Sequence, residues 1–586
     1  MAKVRSLLSG LEHKYAAFSI LSPFLMVGEV CMEMIIPMIM ARIIDVGIAG
    51  HDVAYVVRMG LLMVCAALFS LTCGMSCGRV ASVAAQGFSK NLRRKLFSQV
   101  QTFSFSNMDT FGTGSLVTRL TTDVTNLQNL YQNVIRGMVR SPLMLITGTV
   151  MACLLNLRLA TIFFVTIPVL GAVLTIISVS AYPRFQLMFT RYDELNNTVQ
   201  ENLRAIRVVK TFVREGYENE KFDTVCDRLR DTQVRAEKIV ILNAPLMQLS
   251  IYSCIIAVLW FGGNMIIHGS MLTGELISFI TYITQILMSL MMLSMIFVQI
   301  ILSRASMNRI LEVLNEVPEI TSPDGTVFGY APEGSTSVSV VKDGSIDFNH
   351  VYFSYLHDKN NCVLTDIDVH IPSGATVGII GGTGSSKSTL VQLLPRLYDA
   401  LSGSVQVGGV DVKQYNLASL RDAVSMVLQK NVLFSGTIRD NLRWGDENAS
   451  DEVLYAACRD ACADEFVRSL PDGYDTMLGQ GGVNLSGGQK QRLCIARALV
   501  KKPKILILDD STSACDTATD AHIRAALKEA LPGTTKLIIA QRIASVQDSD
   551  LIIVLNDGRI AGLGTHDALL ASNEIYREVY ASQNKK

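Results

Sequence analysis

Residues 381–390 read GGTGSSKSTL, after the apolar run ATVGII at 375–380 and ahead of a helix-like segment at 391–398. The order is strand, glycine-rich turn, helix. The turn is close to the phosphate-cradling pattern G-x-x-x-x-G-K-[ST], with Ser386 where that pattern has glycine before the lysine. Gly381, Gly382 and Gly384 free the backbone to turn N–H groups towards an anion. Lys387 reaches β- and γ-phosphate oxygens, and Ser388 offers a hydroxyl to Mg²⁺. A helix starting at the turn adds a favourable dipole. Ser386 places a small side chain where the backbone approaches phosphate, which weakens affinity but removes no donor. A chance Gly-Ser turn is the poorer account of this stretch.

Working outward, KILILDDSTSACD at 504–516 carries an apolar strand into Asp509, an acid placed to hold a Mg²⁺ shell. Between the two lies NLSGGQKQRL, 484–493. From residue 345 onward, strand-like runs at 375–380, 504–508, 536–539 and 551–555 alternate with helical patterns, which predicts an α/β domain. Ahead of it, SPDGTVFGYAPEGSTS (322–337) has the composition of a linker.

The first half differs. The chain has 586 residues, is 49% hydrophobic and only 18% charged, and nearly all its long apolar stretches precede about residue 303. Six of them suit a hydrocarbon core of about 30 Å, at 15–44, 54–83, 134–155, 159–182, 244–268 and 272–302. Some exceed a bilayer's need, so these helices are expected to project into water. The long segments after the second and fourth spans are rich in Lys and Arg and keep helical spacing over 91–107 and 194–230, whereas the short loops are nearly free of base. The positive-inside rule then puts both termini and the long segments in the cytoplasm of a multi-pass inner (plasma) membrane protein. A tight turn is expected at 156–158. No cleaved signal is expected, because the first apolar run is too long for a signal core. Net charge is zero, so nothing points to nucleic acid. Twelve cysteines are scattered without CxxC pairs; Cys73/Cys77 and Cys458/Cys462 are spaced for one face of a helix, and small buried hydrophobes explain them better than zinc or disulfides.

A P-loop, LSGGQ and an acidic strand end, in this order, resemble the nucleotide-binding domain of an ABC transporter, and six preceding spans with long cytoplasmic extensions resemble its exporter half-transporter. The resemblance covers essentially the whole chain. It implies an α-helical membrane domain at 1–318, a linker at 319–344 and a P-loop ATPase domain at 345–586, with ATP and Mg²⁺ as cofactors. It also implies roles. Tyr355 stacks on adenine; Gly382, Thr383, Gly384, Ser385, Ser386, Lys387, Ser388 and Thr389 cradle the phosphates. Ser388, Gln429 and Asp509 serve the Mg²⁺ shell. Ser486, Gly487, Gly488 and Gln489 contact ATP bound by the other subunit, and 513–516 (SACD) join the two sites. Segments 113–124 and 207–222 resemble the stretches that carry coupling helices.

Beyond Ser386, three positions depart from the family pattern. The general-base glutamate is Asp510, one methylene shorter, and the switch histidine is Gln541, which can donate a hydrogen bond but cannot carry an imidazole's charge or proton. Gln480 stands where many relatives have glutamate. Asp510 and Gln541 both belong to the site on this chain's own P-loop, while LSGGQ is intact. A homodimer would then carry two impaired sites, and a heterodimer with a second half-transporter one impaired and one competent; the resemblance to exporters with one degenerate site favours the heterodimer. The expected function is ATP-driven export of a small hydrophobic or amphipathic substrate, drug-like or lipid-like, across the lipid bilayer. An importer on the same fold and a non-transporting ATP-gated regulator are the alternatives; no peptidase-like extension precedes the first span, which argues against a processing peptide exporter. Glu29 and Glu33 lie one turn apart inside the first span, either to attract a cationic amphiphile, or to face a wet cytoplasmic cavity or pair with Arg79, Arg136 or Arg140. Met288, Met291, Met292 and Met295 in the sixth span suit either a pliable binding surface or plain packing.

Overall fold

The computed structural model describes residues 7–327, 329–330, 335–511 and 516–584, with the backbone alone at 302, 517 and 584. The chain divides into two compact bodies, Met1–Val100 with Thr113–Glu316, and Gln101–Gly112 with Val317–Lys586.

In the first body, α1 (His13–Arg42) runs into a π-helical end (Ile43–Ile48) and is followed by α2 (Val53–Thr102). The second body takes the short α3 (Phe105–Phe111). The first body resumes with α4 (Thr113–Thr118), a π-turn (Arg119–Asp123), α5 (Val124–Leu155), α6 (Leu157–Arg204), α7 (Ile206–Thr211), α8 (Glu215–Val240), α9 (Asn243–Ile267) and α10 (Thr273–Asn315). Among the described residues, six stretches of helix are long and apolar enough to cross a membrane, from His13–Ile48 to Thr273–Asn315. The expected turn at 156–158 contracts to Asn156, whose side chain accepts from the N–H groups of Arg158 and Leu159 at 3.1 and 3.2 Å and so caps α6 directly after α5. The helical spacing expected over 91–107 is interrupted at Ser104, where Ser104 and Asn107 exchange side-chain-to-backbone bonds in a capping box. One short helix, α3, precedes 113–124, and a second, α4, opens it.

Met26, Val30 and Met34 of α1 meet Phe163 and Phe279 in the core of this body, the two rings stacked 5.2 Å apart. The buried Tyr282 hydroxyl donates to the Met34 carbonyl at 2.7 Å, satisfying its polar atom where water is absent. Leu61, Leu68, Phe164, Val169 and Ile176 remain exposed, as lipid-facing positions on α2 and α6 require.

The second body holds two main sheets. Strands β1 (Ile346–Phe353), β2 (Leu364–Ile371), β4 (Ser402–Val407) and β5 (Val410–Asp411) form an antiparallel sheet in the order β2-β1-β4-β5. A larger sheet is built from β3 (Thr376–Gly381), β6 (Val424–Val427), β9 (Ile505–Asp509), β10 (Thr535–Ile539), β11 (Leu551–Asn556) and β12 (Arg559–Gly564), in the order β12-β11-β3-β10-β9-β6. All but β12 run parallel in it. The run ILILD of β9 is buried throughout, as a parallel strand covered on both faces must be. A small ribbon, β7 (Gly436–Thr437) with β8 (Met477–Leu478), stands apart.

Helices pack around the sheets: α11 (Lys387–Gln392), α12 (Leu417–Ala423), α13 (Ile438–Leu442), α14 (Asp451–Asp460), α15 (Asp464–Ser469), α16 (Gly487–Val500), α17 (Thr517–Ala530), α18 (His566–Ser572) and α19 (Glu574–Asn584). The helix expected at 391–398 starts earlier and stops sooner. Pro395 disfavours α geometry in the residue before it, and Arg396 turns left-handed at φ +52°. Cys458 is buried on α14, whereas Cys462 lies beyond that helix at φ +52°, so the two do not share a helical face.

Candidate functional site

In the parallel sheet Ile539 of β10 is level with Ile379 of β3 on one side and with Asp509 of β9 on the other. The chain leaving each of these strands therefore emerges at one edge, where open α/β sheets bind ligands. A cavity of about 390 Å³ lies there, within the usual range for a small-molecule site. Its wall brings together Gly381, residues 383–389, Gln429, Asp509, Asp510 and Gln541, far apart in sequence.

The Lys387 ammonium sits inside the loop, donating to the carbonyls of Gly381 and Gly382 at 2.9 and 2.8 Å and to Ser385 Oγ at 3.2 Å. Burial pulls its pKa down, and the carboxylates of Asp509 and Asp510 oppose that shift. Ser388 Oγ donates to Asp509 Oδ1 at 2.9 Å. Asp509 is buried, and burial pushes its carboxyl up against the opposing Ser388 bond. A hydroxyl and a carboxylate in contact, beside an ammonium in a turn of backbone donors, fit Mg²⁺ and a polyphosphate. Mg²⁺ bound there would neutralise phosphate charge; the residues that would hold it are Ser388 and Asp509, with Gln429 on the same wall.

Ser386 adopts φ +69° and ψ 24°, in the left-handed region. The serine-for-glycine exchange thus falls on a conformation that costs an L residue about 1 kcal/mol. Asp510 is left-handed as well, at φ +49°, and its N–H donates to the Ile539 carbonyl at 3.1 Å. Across the cavity, Gln541 Nε2 donates to Asp510 Oδ2 at 2.8 Å. Gln541 is itself fixed from α19: Gln583 Nε2 donates to its carbonyl at 2.7 Å while Gln583 Oε1 accepts from the Ile543 N–H at 2.8 Å.

Tyr355 lies at the rim. Its hydroxyl is 2.9 Å from Thr389 Oγ1, and its ring meets Phe353 and Tyr398 edge-on at 4.8 and 5.2 Å. Sequence reasoning missed Tyr398, an aromatic outside any motif, which also donates to Asp109 Oδ2 of α3 at 2.8 Å. It also missed Val363 and Ile539 in the cavity wall.

Ser486, Gly487, Gly488 and Gln489 do not line this cavity. Ser486 caps α16, accepting from the Gln489 N–H at 3.3 Å while Gln489 Oε1 accepts from the Ser486 N–H at 2.9 Å. Gln480 lies in a one-turn 3₁₀ segment, Gln480–Gly482. Of the SACD stretch, residues 513–515 lie outside the described residues, and Asp516 caps α17 through the Thr519 N–H at 2.8 Å.

In the first body both Glu29 and Glu33 are held by Arg140, which donates to Glu29 Oε1 and to the two oxygens of Glu33 at 2.8 and 2.9 Å. Pairing is thus seen with Arg140, and both acids also line a hollow with Arg79 and Arg136. Met288, Met292 and Met295 are exposed on α10 and Met291 is half-buried.

Family profiles match both parts: "ABC transporter transmembrane region" over residues 19–291 and "ABC transporter" over 364–513. The chain is 37% identical to the uncharacterized ABC transporter ATP-binding protein YfiB of Bacillus subtilis, over 97% of each chain. It is 32% identical to an ATP-dependent lipid A-core flippase of Desulfotalea psychrophila over 85% of each. The structure of a bacterial Atm1-family exporter with ATP bound superimposes with a TM-score of 0.84 at 25% identity, covering 99% of both chains.

Proposed function

This chain belongs to the ABC transporter family as a half-transporter of the exporter type, and from that premise we propose that it is the slow-site subunit of a heterodimeric ATP-driven exporter. Its own P-loop site binds Mg²⁺ and ATP, retains the nucleotide and cleaves it slowly, while Ser486–Gln489 complete the site on the partner's P-loop. The ATPase body works in the cytoplasm of an inner-membrane protein. The substrate is a small hydrophobic or amphipathic molecule drawn from the bilayer or the cytoplasm.

One observation carries the reading: the hydrogen bond from Gln541 to Asp510. The shorter acid is turned to an amide instead of reaching for a water beyond the phosphate, and the amide cannot take up a proton. A base displaced by about 1 Å costs about 100-fold in rate. A second subunit is supported by the tip of the first body, where Val208, Phe212 and Val213 of the α7 region lie exposed on a polar extension far in sequence from the apolar spans. Such an apolar tip calls for a protein partner.

The test uses the purified two-chain assembly. Replacing the partner's catalytic glutamate by glutamine is expected to nearly abolish ATPase turnover, whereas Asp510→Ala leaves most of it. Equal losses from the two substitutions contradict the asymmetry.

A further inference from the structure

Between α1, α2 and α5 lies a hollow of about 730 Å³, lined by Glu29, Glu33, Arg79 and Arg136 with Ile36, Ala67 and Leu71. Charge decides what it takes. Arg140 is shared by Glu29 and Glu33, so that group of three is one cation short. Among the described residues Arg79 and Arg136 have no carboxylate within salt-bridge reach, and they tip the cluster to three guanidiniums against two carboxylates. Unpaired guanidiniums at membrane depth are costly unless an anion or water meets them.

The same wall offers an unfilled acceptor. Glu29 is only 7% exposed; Oε1 is bound to Arg140, but Oε2 is buried without a hydrogen-bond partner. Gly74 lets α2 pack directly against this carboxylate, since a Cβ there would stand 3.1 Å from Oε2. A buried carboxylate oxygen without a donor destabilises the free state, and a ligand N–H relieves it. Arg79 is five residues further along α2, about 7.5 Å down the axis. Opposite charges in a ligand would thus be read at two levels of one wall. Towards the other end the wall turns apolar.

We propose that this hollow is a subsite for a zwitterionic amphiphile, its anionic group on Arg79 and Arg136, its ammonium on Glu29 Oε2 and its chain along Ile36, Ala67 and Leu71. The proposal rests on the exporter reading and names the substrate class. A purely cationic amphiphile, which the two acids alone suggest, would meet the surplus guanidiniums.

The test titrates the full chain, in its two-subunit assembly in a maltoside micelle, with four probes below their own micellar concentrations. These are dodecylphosphoethanolamine, dodecyl phosphate, dodecylamine and phosphoethanolamine without a chain. Dodecylphosphoethanolamine is expected to bind tightest, by about tenfold or more over dodecylamine, the equivalent of one charged contact. Arg79→Gln with Arg136→Gln should weaken both chain-bearing phosphates and spare dodecylamine. Glu29→Gln should weaken dodecylphosphoethanolamine and dodecylamine, the two probes that carry an ammonium, with unchanged dodecyl phosphate binding showing that the variant is folded. Tightest binding of dodecylamine, equal binding of the chainless probe, or a uniform shift of every probe overturns the proposal. ATP retention at Lys387 is measured on the same sample; its loss with probe selectivity intact counts against the slow-site reading and not against this subsite.

Discussion

Ser386 and Asp510 are L residues in left-handed backbone at the same cavity, and they bear on different properties. Ser386 adds strain and leaves the donors of the loop in place. Asp510 changes the reach of the group that would activate water. Ser386→Gly is therefore expected to stabilise the nucleotide-free chain by up to about 1 kcal/mol, read as a higher unfolding temperature, while hydrolysis at this site stays slow. A large gain in hydrolysis would mean that the serine, rather than Asp510 and Gln541, limits cleavage. The motif showed which residue types were present. It did not show that Ser386 is left-handed or that Gln541 turns to Asp510, because both depend on where β3, β9 and β10 end in space.

At the scale of elements, the C-terminal part of α10 is fastened to the π-turn before α5 by two ion pairs of opposite sense. Arg309 grips the wholly buried Asp123 with Nε at 2.8 Å and Nη2 at 2.5 Å, and Arg119 donates to Glu312 Oε2 at 2.8 Å. The π-turn widens the helix by a residue at that point, so Arg119 and Asp123 face partners three residues apart on α10. Removing one member of a fully buried pair costs about 3–5 kcal/mol, and half-exposure of Arg309 discounts that to about 2. Asp123→Asn is expected to lower the unfolding temperature of the full chain and loosen α5 from α10. The exchange Asp123→Arg with Arg309→Asp should recover part of that loss; no recovery would locate the effect in local packing instead.

Across the whole molecule, what the sequence made legible were features set by local chemistry: six apolar spans, the strand-turn-helix around Lys387, the acid closing β9, and the extension of helices beyond the bilayer's length. Features set by tertiary assembly were hidden. The helical spacing read over 91–107 runs on past residue 100, yet residues 101–112 belong with the second body, because Ser104 breaks the helix and Asp109 bonds to Tyr398. The hollow at Glu29 could not be weighed until Arg140 was seen to claim both acids. The central claim concerns the pair of ATP sites and is tested most directly by what each retains. The two-chain assembly is given Mg²⁺ and radiolabelled 8-azido-ATP, stripped of free nucleotide, photocrosslinked and separated by subunit. The account predicts intact triphosphate on this chain after the partner's nucleotide has become diphosphate. Diphosphate on both chains at equal rates would contradict it.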